Sequence, residues 1–264
     1  VTDFIQVVLL GIIEGVTEFL PISSTGHLLI AEKLGLGARS ELFNVVIQAG
    51  AILAVTFIYW RRLWSLARDL KVPAVRDYAL KLGASFGITA VLGLVVKKLG
   101  FELPETVTPV AWALIVGAGL MVLAEREAEK RARSTAITWP VAVVVGVAQV
   151  LAGVFPGTSR SAATIFGAML AGTGSRAAAA EYSFLVGIPT MYAASAYAVA
   201  KQLKAGGVQE DWGALGVAFV VSTITAFVAV KWLLHYIQRH RFTVFSVYRV
   251  VLGVLLLLFL PSGS

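Results

Sequence analysis

Apolar residues run in long blocks along this chain, and short polar clusters separate them. Six blocks are long enough to cross a bilayer as helices of about 20 residues. They cover positions 43–60, 80–96, 107–124, 182–200, 212–234 and 244–260. Two further apolar stretches, 3–31 and 138–171, are broken near the middle by Pro21-Ile22-Ser23-Ser24-Thr25-Gly26 and Pro156-Gly157-Thr158-Ser159-Arg160-Ser161. Proline removes a helix N–H and clashes with the preceding turn, and hydroxyl residues favour a new helix start. Each broken stretch therefore reads as two half-helices that enter and leave on the same side. Such re-entrant backbone is tolerated when buried in protein or lining a cavity. The expected fold is an all-α polytopic membrane protein with six transmembrane helices and two re-entrant broken-helix hairpins.

Composition agrees with a bilayer as the solvent. Of the 264 residues, 14% are charged and 58% are hydrophobic, and the mean hydropathy is +0.84. A soluble domain carries roughly 25% charged residues. Disorder, coiled coil and disulfide scaffold are excluded. With no cysteine there is no disulfide, thiol nucleophile or thiolate metal site. The net charge of +7 sits between apolar runs. It points to topology against anionic lipid, not to a nucleic-acid partner. The first segment contains Glu14 and Glu18 and lacks a basic n-region, so a cleavable signal peptide is not expected.

The charge bias also sets sidedness. Loops 61–81, 125–138, 172–180 and 231–243 together hold fourteen Lys and Arg residues, against six in loops 28–42, 97–106 and 201–211. The first set is assigned to the cytoplasm by this bias, with both termini outside.

The two broken stretches resemble each other. A shift of 135 places Gly11 on Gly146, Glu14 on Gln149, Pro21 on Pro156, Ser23 on Thr158 and Ser24 on Ser159. Each is followed by a polar loop and three spans. Three is odd, so the second copy enters from the opposite side. The single membrane domain thus reads as an inverted-topology repeat, with copies at about 1–125 and 138–264.

The polar residues at the breaks argue for chemistry. Glu14 and Glu18 share one helix face, where like charges repel. Inside a membrane they imply a bound cation, a shared proton, or a wet cavity. The bland reading is a helix end in interfacial water, although apolar Phe19 to Ile22 follow them. Ser23, Ser24 and Thr25 stand where a half-helix N-terminus presents free N–H groups that suit a phosphate. Plain capping needs one hydroxyl, and three are present. His27 is expected beside the carboxylates, where a neighbouring negative charge would favour its protonated form, or as a satisfied structural histidine. Arg160, between Ser159 and Ser161, needs an anion: a phosphate, or Glu14 or Glu18. Thr164 shares its face, one turn on. Gln149 is assigned equally to the cavity and to core hydrogen bonding. Arg249 is expected to snorkel toward the cytoplasmic face, and the charge run 125–133 to form a solvated loop. Paired carboxylates, a histidine, hydroxyls, a helix N-terminus and an arginine are the parts of a phosphoryl-transfer site. At bilayer depth such a site suits a lipid phosphate or diphosphate.

Glu14-Gly15-Val16-Thr17-Glu18-Phe19-Leu20-Pro21-Ile22-Ser23-Ser24-Thr25-Gly26-His27 resembles the first signature of the bacterial undecaprenyl-diphosphatase (bacitracin-resistance) family. Pro156-Gly157-Thr158-Ser159-Arg160-Ser161-Ala162-Ala163-Thr164 resembles the second, and stretches 43–62 and 181–189 are also similar. Ala162 departs from the family's usual glycine by one methyl. The resemblance implies hydrolysis of undecaprenyl diphosphate to undecaprenyl phosphate and inorganic phosphate, which recycles the lipid carrier for cell-wall synthesis. It implies dependence on a divalent cation (Mg²⁺ or Ca²⁺), a homodimer among membrane lipids, and a bacterial inner-membrane location with the site open to the outer, periplasmic face. By matched motif positions, Glu14 and Glu18 would bind the cation or act as base. Ser24 or His27 would attack phosphorus or position water. Arg160 would hold the diphosphate together with Ser23, Thr25, Gly26, Gly157, Ser159, Ser161 and Thr164. Two other classes remain: a carrier or flippase for a polyprenyl phosphate, which needs binding without turnover, and a passive scaffold, which has no use for a buried charge cluster.

Overall fold

A computed structural model describes residues 2–37, 39–101, 106–131, 134–204 and 211–260. Regular structure among the described residues is helical: α1 (Thr2–Thr17), α2 (Ser24–Ala31, running into a π-helical turn Glu32–Leu36), α3 (Glu41–Ile58), α4 (Trp60–Arg68), α5 (Pro73–Lys98), α6 (Val107–Glu129), α7 (Trp139–Val154), α8 (Arg160–Ala171), α9 (Arg176–Lys204), α10 (Trp212–Arg239) and α11 (Thr243–Phe259). Five of them, α3, α5, α6, α9 and α10, are long and apolar enough to cross a membrane. The chain is thus a polytopic, all-helical membrane protein. The sixth expected span forms α11, of 17 residues. At 1.5 Å per residue it is somewhat shorter than the roughly 30 Å hydrocarbon core.

Boundaries differ from expectation where charged residues find partners. The charge run was expected to be a solvated loop, yet 125–129 continue α6. Glu125 is buried there and accepts from the Arg176 guanidinium and, at 2.8 Å, from the Phe242 amide. Arg241 pairs with Glu129 at 2.6 Å. This cluster ties the ends of α6, α9 and α11 together, so the charges lengthen the helix.

Small residues set the close crossings. α10 lies against α1 and α3, and α5 lies against α7 and α9; α3 packs on α9, and α6 on α11. A Cβ on Gly15 would fall 2.0 Å from Thr225 Oγ1 and 2.5 Å from the Ser222 carbonyl, and one on Gly146 would fall 2.8 Å from the Ser85 carbonyl. Hydroxyls stitch the same crossings. Ser222 donates to Ile47 O at 2.7 Å, and Ser85 donates to Ala142 O at 2.7 Å. In lipid, such close packing replaces the hydrophobic drive that water would supply. Gly15→Ala is expected to destabilise the protein in detergent by about 1–3 kcal/mol. Gly83→Ala, where nothing lies within 4 Å of the new carbon, should leave the unfolding temperature unchanged or slightly raised. Equal melting of the two variants would show that the α1–α10 crossing tolerates separation.

Candidate active site

Both broken stretches break as expected. α1 ends at Thr17 and α2 begins at Ser24; α7 ends at Val154 and α8 begins at Arg160. The two new helices are capped alike. Ser23 adopts φ 77, ψ 101 and accepts from Gly26 N at 3.2 Å; Ser159 adopts φ 68, ψ 116 and accepts from Ala162 N at 3.3 Å. These are the two non-glycine residues with positive φ among those described. Each conformation costs about 1–3 kcal/mol. The equivalence of the caps corrects the sequence alignment at this point. Ser23, not Ser24, matches Ser159, because the second loop holds one more residue between its proline and its cap. Gly157 takes up the extra length at φ +88, with its Cα so close to Val110 that a Cβ would fall 2.7 Å from it.

The first residues of the two half-helices, Ser24 and Arg160, meet on one carboxylate. Ser24 Oγ donates to Glu18 Oε2 at 2.6 Å, and Arg160 Nη2 donates to Glu18 Oε1 at 2.9 Å. The Glu18 side chain is 5% exposed and that of Arg160 27%. Of the two anions considered for Arg160, the structure supplies the carboxylate, and the arginine keeps a partly open face. Around this pair lies a cavity of about 330 Å³. Ser23, Ser24, Thr25, Gly157 and Ser159 line it with Glu18 and Arg160. Two helix N-termini therefore face one polar space, each with free amides and a positive dipole end.

The other expected site residues stand behind this wall. Gly26 is buried and gives its amide to the cap. Ser161 Oγ donates to Leu20 O at 3.1 Å and so ties the second break to the first. Thr164 Oγ1 donates to Arg160 O at 2.8 Å within α8. Glu14 is fully buried, and both of its carboxylate oxygens lack a hydrogen-bond partner.

His27 departs from expectation. It is not engaged with Glu14 or Glu18, and it is not among the residues that line the cavity. Its Nδ1 lies 2.7 Å from Ser23 O and its Nε2 2.6 Å from Tyr248 OH, with the two rings stacked in parallel. A carbonyl only accepts, so Nδ1 carries the proton and Nε2 accepts from the tyrosine when the ring is neutral. The short α2 turns its first-turn histidine away from α1 and toward α11.

Arg249 also departs from expectation. It does not snorkel to a membrane face but is fully buried. Nη1 donates to Pro21 O (3.3 Å) and Thr158 O (3.1 Å), Nη2 to Ala113 O (3.0 Å), Gly157 O (3.4 Å) and Thr158 O (3.1 Å), and Nε to Leu114 O (3.2 Å). One guanidinium thus holds both break loops against α6. Gly117 makes the room, since a Cβ there would lie 2.3 Å from Nη2.

Gln48 and Thr190 also line the cavity but were absent from the sequence-derived site. An amide within the apolar run of α3, one of two there with Asn44, was the available signal for Gln48. Thr190 gave none, since it donates to its own helix at Val186 O.

A divalent cation is consistent with the oxygen donors present. No group of three or more His, Cys, Asp or Glu side chains that could hold a metal exists among the described residues. Glu14 nevertheless offers two buried carboxylate oxygens without partners, beside Glu18 on the same helix face. A hard ion held by one or two carboxylates and completed by phosphate oxygens is the usual manner of Mg²⁺ binding.

The family model described as bacitracin resistance protein BacA matches residues 7–255. An undecaprenyl-diphosphatase of Rhizobium etli (strain CIAT 652) is 66% identical over 262 residues, 99% of this chain and 98% of that protein. An undecaprenyl-diphosphatase of Xanthomonas axonopodis pv. citri (strain 306) is 60% identical over 264 residues, 100% of this chain and 99% of that protein. The motifs at both breaks lie inside the matched region, and the chain belongs to the bacitracin resistance protein BacA family.

Proposed function

We propose that the protein is a membrane phosphatase that hydrolyses undecaprenyl diphosphate to undecaprenyl phosphate and inorganic phosphate. The carrying observation is Glu18, whose two oxygens hold Ser24 and Arg160 where two helix N-termini meet in one cavity. Arg160 and the helix-end amides would bind the terminal phosphate. Ser24 would attack it, passing its proton to Glu18 at 2.6 Å. The bond from phosphorus to the bridging oxygen breaks, prenyl phosphate leaves with the electron pair, and Glu18 gives up the proton to solvent in the cavity and is a carboxylate again. Water then cleaves the phosphoserine. Direct attack by water would use the same groups. Glu14 and Glu18 would hold Mg²⁺ or Ca²⁺, which when bound neutralises charge on the phosphate oxygens. His27, held between Ser23 O and Tyr248, would keep the first turn of α2 in place.

The finer architecture belongs to the same reading. Six crossings with two re-entrant hairpins, oriented by the charge bias, would put the loops with fourteen Lys and Arg in the cytoplasm, and the family resemblance implies a cavity open to the periplasmic face of the inner membrane. Halves at about 1–125 and 138–264, related by inversion, are supported by the like-capped breaks. They are also supported by the packing: exchanging the halves turns α1 on α10 into α7 on α5, and maps α3 on α9 and α6 on α11 onto themselves. A homodimer surrounded by lipid completes the proposal on family resemblance.

The test is phosphate release from a C15 or C55 prenyl diphosphate by the purified protein in detergent. Release is expected with Mg²⁺ or Ca²⁺, and its loss in EDTA. Saturable binding of the lipid phosphate without release under any condition would turn the reading to a carrier.

A further inference from the structure

Gln149 is the position equivalent to Glu14 in the second broken stretch. It lines the cavity, is 4% exposed, and its Oε1 has no hydrogen-bond partner. Its Nε2 donates to Thr89 Oγ1 at 2.9 Å. The Thr89 hydroxyl is itself committed as a donor, to Ser85 O at 2.9 Å and Gly146 O at 3.0 Å. A hydroxyl has one hydrogen, so toward Gln149 it can only accept. The amide orientation is therefore forced, with nitrogen to α5 and the oxygen left as a fixed, neutral, unused acceptor. A buried acceptor without a partner is costly and calls for a donor from outside the protein. A deprotonated phosphate has no hydrogen to give. The reaction's other substrate does.

We propose that Gln149 Oε1 holds the water that the hydrolysis consumes, with Thr89 as the positioning residue that locks the amide. The inference rests on the diphosphatase reading above. In the hydrolytic step the water oxygen bonds to phosphorus as the bond from phosphorus to Ser24 Oγ breaks. Oγ keeps the electron pair and receives one water proton through Glu18. The second water hydrogen stays on the released phosphate, and this is the hydrogen Gln149 would hold. A neutral amide orients that hydrogen without removing it, a device known in phosphoryl transfer.

Methanol separates this role from others, because its one hydroxyl hydrogen goes to Glu18 and none is left for Gln149. Wild type, Gln149→Met and Thr89→Val would be assayed for phosphate and methyl phosphate from a C15 diphosphate in methanol–water, with melting temperature recorded. Gln149→Met is expected to lower phosphate formation on the order of tenfold or more. Methyl phosphate formation and KM should stay within about twofold. The ratio of methyl phosphate to phosphate should therefore rise. Thr89→Val should shift the ratio the same way by less, and should add nothing in the Gln149→Met background. An unchanged ratio in folded Gln149→Met overturns the proposal, whatever the rate. So does a loss restored by excess Mg²⁺, which would assign Oε1 to the cation. Failure of the diphosphatase reading would appear separately, as no phosphate release by wild type.

Discussion

Arg160→Ala is expected to lower kcat/KM for prenyl diphosphate hydrolysis on the order of a thousandfold, the scale on which arginines contribute to phosphoryl transfer. Two losses combine in that figure. The first is the guanidinium that would neutralise the terminal phosphate. The second is the partner of Glu18, a side chain only 5% exposed, which would keep Ser24 as a donor but lose its counter-charge. Breaking a buried pair from one side costs about 3–5 kcal/mol, and the partial exposure of Arg160 argues for the lower end. Glu18→Gln preserves the shape and removes the charge and the base. It should lose activity on a similar scale with less effect on melting. Because both side chains act through one constellation, the double variant should be scarcely worse than either single one. Losses that multiply would place the two residues in independent roles. Full activity in folded Arg160→Ala would remove the second half-helix from the site.

Arg249→Met is expected to lower the melting temperature and to reduce activity by at least a hundredfold, although Arg249 does not line the cavity. Its guanidinium donates to carbonyls of both break loops and of α6. Each buried carbonyl left without a donor costs about 1–3 kcal/mol. The loops so released carry the caps Ser23 and Ser159 in strained conformations, which persist only while surrounding structure enforces them. Ser24 and Arg160 follow those caps directly, so slack in the loops becomes misplacement at Glu18. A shift of about 1 Å suffices for a hundredfold loss. Arg249→Lys should not rescue, since one ammonium cannot span the carbonyls that the planar fork joins. Near wild-type activity and melting in Arg249→Lys would show that the charge, not the span, is what this position supplies.

Much of this was legible in the chain. Blocks of apolar residues set the spans, because lipid leaves a backbone no option but the helix. Pro21 and Pro156, each followed by hydroxyl residues, set the breaks at the observed places. Glu14, Glu18 and Arg160 stood out because charge inside an apolar stretch needs a partner or a purpose. Ser24 and Thr25 followed from the same helix starts.

Tertiary structure decided what each polar group faces. Arg249 looked like a residue near a membrane face, since nothing local shows that carbonyls of Pro21 and Thr158 converge on it from loops far away in the chain. His27 adjoins the acidic motif in sequence, but one helical turn sends its ring to Tyr248, 221 positions on. Glu125 read as solvated until α9 brought Arg176 to it. Gln149 reads equally as a cavity residue and as a core hydrogen-bonding residue from sequence, and the structure makes it both, with Nε2 on Thr89 and the residue lining the cavity. The division has a physical cause. Hydropathy and backbone chemistry act within a few residues of sequence, so they are written locally. The partner of a buried polar atom is set by which helices cross, and that depends on packing among segments that the sequence does not place side by side.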